Sequence, residues 1–380
     1  MWTRRSLLLA ASAPVLGALA PDAPSAALAP DAPSAAERAA MARVAEEFRS
    51  SYAIPGLSVA ISRNGNLVYV EAFGVADSQT GERLTPGHRF RIASVSKSIT
   101  SVTIFRLIEQ GRLRLGDRVF GPGAILGDSF GPPPYRSGVD QITIDHLLTH
   151  TAGGWPNDDR DPATHNPQWS LRALIDWAIH NVALDRTPGT NFAYSNFGYC
   201  VLGRVIEHLT GQRYDDFVRQ DVLRHCDVTG MAIGGNTLAE RQPMEVRYDG
   251  QRGEQPYAWN VARTDSYGGW VARPTDLVNF ALRVDGFPEP PDILQPATIR
   301  TMTTPSVASP SYARGWWVNG FGDYWHTGSM PGSATIVTRT HDGFCWAAFA
   351  NSRRPETGME GNLEQLPREM RKQVATWSSW

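Results

Sequence analysis

The spacing of apolar and polar positions divides the chain into stretches of two periods. Leu57-Ser58-Val59-Ala60-Ile61-Ser62 alternates with a period of two, Asn64-Gly65 is a two-residue turn signal, and Leu67 to Phe73 returns, which predicts a β-hairpin. The same arrangement recurs near the other end, with Ala334 to Thr338, the turn His341-Asp342-Gly343, and Phe344 to Ala350. Between these hairpins the period becomes helical, in Leu171 to Asn181, Tyr199 to Leu209, Tyr214 to Leu223 and Thr275 to Arg283. Helical spacing also marks Glu37 to Ser51, which stops before Pro55, and Leu363 to Val374. Strands at both ends with helices between them predict an α/β (α+β) fold. It consists of one antiparallel sheet of about five strands formed by both chain ends, flanked by terminal helices, with a large mainly helical insertion. The expected divisions are 1–36 outside the fold, 37–92 with 306–380 as the sheet domain, and 93–305 as the helical domain, with the site in the cleft between them.

The first residues read as an address. Arg4 and Arg5 precede the apolar stretch Leu7 to Ala20, and Thr3-Arg4-Arg5-Ser6-Leu7-Leu8 resembles a twin-arginine export signal. The stretch is short and broken by Pro14, so no stable membrane span is expected. Leu19 to Ala27 is then repeated without change as Leu28 to Ala36, a Pro/Ala-rich linker that permits signal cleavage after either copy. The expected location is periplasmic or secreted.

Composition narrows the function. Across 380 residues, 36 basic and 38 acidic side chains leave a net charge of -2, which provides no field to draw in nucleic acid. Three cysteines, Cys200, Cys226 and Cys345, are too few for a disulfide framework and are expected as buried free thiols. Of the basic residues, all but Lys97 and Lys372 are arginine. Arginine does not lose its proton in a protein, whereas a buried lysine can act as a base, so a lysine kept in such a chain raises the question of proton transfer.

Lys97 lies just inside a predicted helix that runs from Arg91-Ile92-Ala93-Ser94-Val95-Ser96-Lys97 to Gly111. Residues three apart share a helix face, so the Ser94 hydroxyl and the Lys97 amine can meet. A helix N-terminus favours a forming oxyanion and disfavours an ammonium. One segment therefore offers a nucleophile and its base. A capping serine beside a solvated lysine is the plainer reading, but the apolar turns that follow (Ile99, Val102, Ile104, Phe105) point to burial.

Ser94-Val95-Ser96-Lys97 resembles the S-x-x-K box of the penicillin-recognising serine enzymes, which include D-alanyl-D-alanine carboxypeptidases, class C β-lactamases and related esterases. Tyr194-Ser195-Asn196 resembles their Y-x-N box and His326-Thr327-Gly328 their K/H-T-G box. Ile142 to Gly154, and Gly268-Gly269 ahead of Arg273 to Leu277, are similar to secondary marks of the family. The resemblance implies an exported serine hydrolase that works through an acyl-enzyme on amide or ester bonds of D-peptide, ester or β-lactam type. In it Ser94 attacks, Lys97 and Tyr194 move the proton, and the backbone N–H groups of Ser94 and Ser329 form the oxyanion hole. Asn196, His326, Thr327 and Gly328 position a small-molecule or peptide substrate. No cofactor and no metal is implied. An ammonium near Tyr194 is expected to favour its phenolate, and Asn196 to steady Lys97 while donating to a substrate amide oxygen. Histidine at 326, where β-lactamases usually carry lysine, resembles the carboxypeptidase, D-aminopeptidase and esterase branches and would present a titratable charge to a substrate carboxylate.

Rival readings remain at this point. Gly127-Asp128-Ser129-Phe130-Gly131 matches the G-x-S-x-G elbow of an α/β-hydrolase, but it runs into Pro132-Pro133-Pro134 where a helix should begin. His146 and His150 stand four apart like a zinc pair, without the glutamate of a metalloprotease helix, and are expected to serve as caps and loop contacts. Trp155, Trp270, Trp316, Trp317 and Trp325 lie close to the motifs and are expected more often as core than as pocket walls. A non-catalytic penicillin or cell-wall-peptide sensor would carry the same boxes. Multiple turnover separates it from an enzyme.

Overall fold

The computed structural model describes residues 32–250 and 253–377. The export signal and most of the duplicated linker lie outside the described residues. Among the described residues no helix is long and apolar enough to cross a membrane.

The strands are β1 (Gly56–Arg63), β2 (Asn66–Asp77), β3 (Glu82–Arg83), β4 (Phe90–Arg91), β5 (Ala232–Ile233), β6 (Trp270–Ala272), β7 (Trp317–Val318), β8 (Tyr324–Met330), β9 (Ser333–Arg339) and β10 (Phe344–Ala350). The main sheet has the order β3-β2-β1-β10-β9-β8-β7, and every pairing in it is antiparallel. Five long strands from the two chain ends form its body, as expected, with the two-residue strands β3 and β7 at the edges. Asn64 and Gly65 turn the first hairpin with φ of 48° and 78°, the pair of positive values that a tight right-twisting hairpin requires.

The period of two places alternate side chains on opposite faces. Leu57, Val59 and Ile61 of β1, with Trp346 and Ala348 of β10, join a core under the two terminal helices, α1 (Ala35–Ser51) and α9 (Met359–Arg371). Ala60, Cys345, Ala347 and Phe349 face the other core, which runs on through the middle of the chain. β10 is buried along its whole length, which is why its sequence is apolar on both faces. Helix α1 begins at Ala35, two residues earlier than the apolar spacing predicts. Ser34 caps it in a reciprocal capping box with Glu37, so the end of the duplicated linker belongs to the helix.

The middle of the chain supplies α2 (Ser96–Glu109), α3 (Ile144–Leu148), α4 (Leu171–Asn181), α5 (Asn196–Thr210), α6 (Tyr214–Val218), α7 (Pro274–Leu282) and α8 (Pro296–Thr303). Of these, α7 packs against β10, β1 and β9 on the inner face of the sheet. Strands β4, β6 and β5 form a small second sheet that carries the chain toward Ser94.

Candidate active site

Residues 91–95 are held by the main sheet. The Ser333 hydroxyl donates to the Arg91 carbonyl at 2.7 Å and the Thr335 hydroxyl to that of Ile92 at 3.0 Å. Gly328 permits this approach: a Cβ there would stand 2.1 Å from the Ile92 carbonyl oxygen. Ala93 adopts φ of 45°, an uncommon conformation for a residue with a side chain, and a single 3-10 turn, Ala93–Val95, then leads into α2. Helix α2 is buried almost all round. Its inward hydroxyls find carbonyl partners, Ser98 on Gly315 at 2.7 Å, Thr100 on Ser266 at 2.6 Å and Ser101 on Arg314 at 2.6 Å. Within this buried run Ser94 is the half-exposed position.

Lys97 has no exposed surface. Its Nζ lies 3.0 Å from Ser94 Oγ, 2.7 Å from Asn196 Oδ1 and 3.0 Å from the Tyr267 carbonyl. Burial disfavours the ammonium and lowers its pKa to about 7, with the nearby Asp161 pulling weakly the other way. The partners set the direction of the lone pair. Asn196 Oδ1 and the Tyr267 carbonyl can only accept, so an uncharged Lys97 donates to both of them. Its lone pair then points at Ser94, the one partner of the three with a proton to give.

The Asn196 amide is held in one sense, because its Nδ2 donates to Asn157 Oδ1 at 2.6 Å and to Asp161 Oδ2 at 3.2 Å. Asp161 has no exposed surface, and burial raises its carboxyl to about 6. Tyr194 approaches from the start of α5, where Ser195 caps the helix by accepting from the Gly198 N–H at 3.0 Å. Lys97 Nζ sits 4.8 Å from the centre of the Tyr194 ring. Burial raises the Tyr194 phenol, while its hydrogen bond with Ser94 lowers it.

β8 brings His326, Thr327, Gly328 and Ser329 alongside. Strand β7 pairs only with Tyr324 and Trp325, so beyond Trp325 β8 has no strand on that side among the described residues. His326 is buried, and its ring centre is 6.3 Å from that of Tyr194. Its Nδ1 lies 2.7 Å from the Thr327 carbonyl and its Nε2 lies 3.3 Å from the Tyr312 hydroxyl. The same hydroxyl is 3.2 Å from His150 Nε2, while His150 Nδ1 accepts the Ser195 N–H at 3.1 Å. Thr327 is half-buried and Ser329 exposed.

The structure thus brings Ser94, Lys97, Tyr194, Asn196 and His326 together, and several expectations change. Tyr194 remains a phenol at rest, because burial outweighs any pull toward the phenolate. His326 offers no charge at neutral pH, since burial, and then the neighbouring Lys97, lower it to about 3. The amide nitrogen of Asn196 is already committed to Asn157 and Asp161 rather than free for substrate. Ser129 lies in a turn with no strand before it and no helix after it, so the elbow is absent. His146 closes a capping box on α3. Trp155, Trp270 and Trp316 are core, while Trp325 lines a cavity against α9 away from Ser94. Trp317 packs edge-on against Tyr312 with ring centres 4.9 Å apart, and Trp259, which the sequence does not single out, stands on the rim of a cavity of about 220 Å³ with Asn196, Tyr267, Ala163, Pro167 and Arg263. All three cysteines are buried and free. Spacing missed Asp161, His150, Tyr312 and the Tyr267 carbonyl. Only His150 stood inside a recognised stretch.

Against known proteins, the family model described as Beta-lactamase matches residues 41–366. The chain is similar to Penicillin-binding protein 4 of Amycolatopsis lactamdurans, 29% identical over 244 residues, covering 62% of this chain and 61% of that protein. It is also similar to Protein flp of Staphylococcus aureus, 25% identical over 233 residues, covering 57% of this chain and 45% of the other. It therefore spans less than two thirds of the length of these curated relatives. Among solved structures, the D-amino acid amidase of Ochrobactrum anthropi SV3 complexed with L-phenylalanine amide superposes with a TM-score of 0.72 at 21% identity, over 89% of this chain and 98% of that one. That likeness bears on the fold alone.

Proposed function

This chain belongs to the Beta-lactamase family, and we propose that it is an exported serine hydrolase that cleaves esters or amides through an acyl-enzyme. Ser94 is the nucleophile. An uncharged Lys97 takes its proton, and the Tyr194 phenol passes a proton to the leaving group. The N–H groups of Ser94 and Ser329 stabilise the tetrahedral oxyanion, and β8 aligns the substrate through Thr327 and its unpaired edge. Asn196 steadies Lys97, and Gly328 lets β8 close on the Ser94 turn. The relative named for penicillin binding supports a D-peptide or amide donor, and an ester donor rests on the sequence resemblance.

One observation carries this reading: a lysine without exposed surface, whose lone pair can face only the Ser94 hydroxyl 3.0 Å away. Export rests on the Arg4-Arg5 signal. Cleavage after Ala27 keeps the Ser34 cap of α1, whereas cleavage after Ala36 removes it, so the earlier site is favoured. The test is labelling and turnover. A fluorophosphonate should label the native protein and not Ser94→Ala, and p-nitrophenyl esters or D-amino acid amides should be released well beyond one equivalent. Labelling that survives in Ser94→Ala removes the nucleophile, and release that stops at one equivalent favours a sensor.

A further inference from the structure

The hydrogen-bond chain behind His326 has one consistent direction. The Ser195 N–H can only donate, so His150 Nδ1 accepts and its Nε2 carries the ring proton, which is given to the Tyr312 oxygen at 3.2 Å. The Tyr312 proton is then free to point at His326 Nε2, 3.3 Å away, or at the oxygen of Tyr199, whose own proton goes to the Leu148 carbonyl. His326 Nδ1 carries the remaining proton and donates to the Thr327 carbonyl at 2.7 Å. Every nitrogen of the two rings has a partner with both rings neutral. A second proton on His326 would place a cation in a buried setting where the groups its ring nitrogens touch, the Tyr312 hydroxyl and the Thr327 carbonyl, carry no negative charge. At the position where a lysine would give a permanent cation, this chain holds a group kept uncharged by its burial.

The neighbouring arginines do not replace that cation. Arg353 Nη1 is 3.4 Å from Ser329 Oγ, but its Nε donates to Glu254 at 2.8 Å and its Nη2 is also paired with Glu254. Glu360 stands beside the same guanidinium and Ser329. Arg263, in the cavity wall near Asn196, gives its guanidinium to the carbonyls of Asn166 at 2.7 Å, Ala163 at 2.9 Å and His165 at 3.2 Å.

Resting on the acyl-enzyme reading above, we infer that the cleft selects acyl donors whose leaving group carries no carboxylate. Neutral esters and amides are its substrates, and peptides ending in a free carboxylate are rejected. A carboxylate at Ser329 would face a guanidinium outnumbered by Glu254 and Glu360, and the His326 imidazole on the buried face of β8 would bring it no counter-charge.

The test compares phenyl acetate with 3-carboxyphenyl acetate, which share an acyl group, each rate divided by that of hydroxide-catalysed hydrolysis. The native enzyme should prefer the neutral ester by at least about tenfold in kcat/KM. Glu254→Gln frees Arg353 and should raise the relative rate of the carboxylate ester about threefold or more. Equal rates or a preference for the carboxylate ester in the native enzyme overturns the inference, as does a preference that Glu254→Gln leaves unmoved. If Ser94→Ala hydrolyses phenyl acetate as fast as the native protein, the acyl-enzyme reading falls and takes this inference with it. A Ser94-dependent preference for the carboxylate ester defeats this inference alone.

Discussion

The two lysines of this chain sit at opposite ends of two helices and in opposite surroundings. Lys97 opens α2, without exposed surface, touching two acceptors and the Ser94 hydroxyl, with its pKa lowered to about 7. Lys372 follows the end of α9, 63% exposed in its side chain and paired with Glu369 at 2.7 Å. The second pair belongs to the class of surface contacts worth about 0–1 kcal/mol. The same residue type is therefore a reagent in one place and a solvated charge in the other. The difference comes from the elements around it. β8 and β9 draw the segment before α2 against the sheet, whereas α9 rests one face on the sheet and leaves its end in water.

Substitutions can widen or erase that contrast. The largest effect is expected from Lys97→Arg, which keeps a cation but removes the basic amine: kcat/KM should fall by about a thousandfold or more, while Lys372→Arg should leave it unchanged in the same assay. Gly328→Ala forces a side chain onto the Ile92 carbonyl, 2.1 Å from an added Cβ. It should lower kcat/KM about a hundredfold by displacing β8 from the Ser94 turn, read against an unchanged circular dichroism spectrum. Leu363→Ala in α9, buried in the core beneath the sheet, should behave the opposite way. It should cost about 2–5 kcal/mol in chemical denaturation, with kcat/KM of the remaining folded enzyme near the native value. The smallest effect is a shape: kcat/KM should rise with pH through about 7, as the Lys97 ammonium loses its proton, and the native limb should be missing from whatever activity Lys97→Arg retains.

The sequence is most informative where chemistry is local. The hairpins are legible because Asn64-Gly65 and the period of two act over a few residues, and the Ser94-Lys97 pair because a helix sets residues three apart on one face. The boxes at Tyr194 and His326 are legible through their resemblance to a family. What is not legible is what the tertiary path brings in from loops. Asp161 reaches Lys97 through Asn196, and Tyr312 joins two histidines 176 positions apart in the numbering, His150 and His326. No spacing rule links such residues. The charge states follow the same division. The ionisation expected of Tyr194 rested on a neighbouring charge and that of His326 on the ordinary behaviour of an imidazole, and burial, which depends on the whole fold, reversed both.

The protonation of Lys97 can be observed directly, since only two lysines report. In protein grown with lysine labelled at 13Cε, Lys97→Arg assigns the two signals, and a pH titration follows the one that disappears. The expected midpoint for Lys97 is about 7. A midpoint at the ordinary lysine value of about 10.4 would mean a permanent ammonium beside Ser94, and the amine could not be the base.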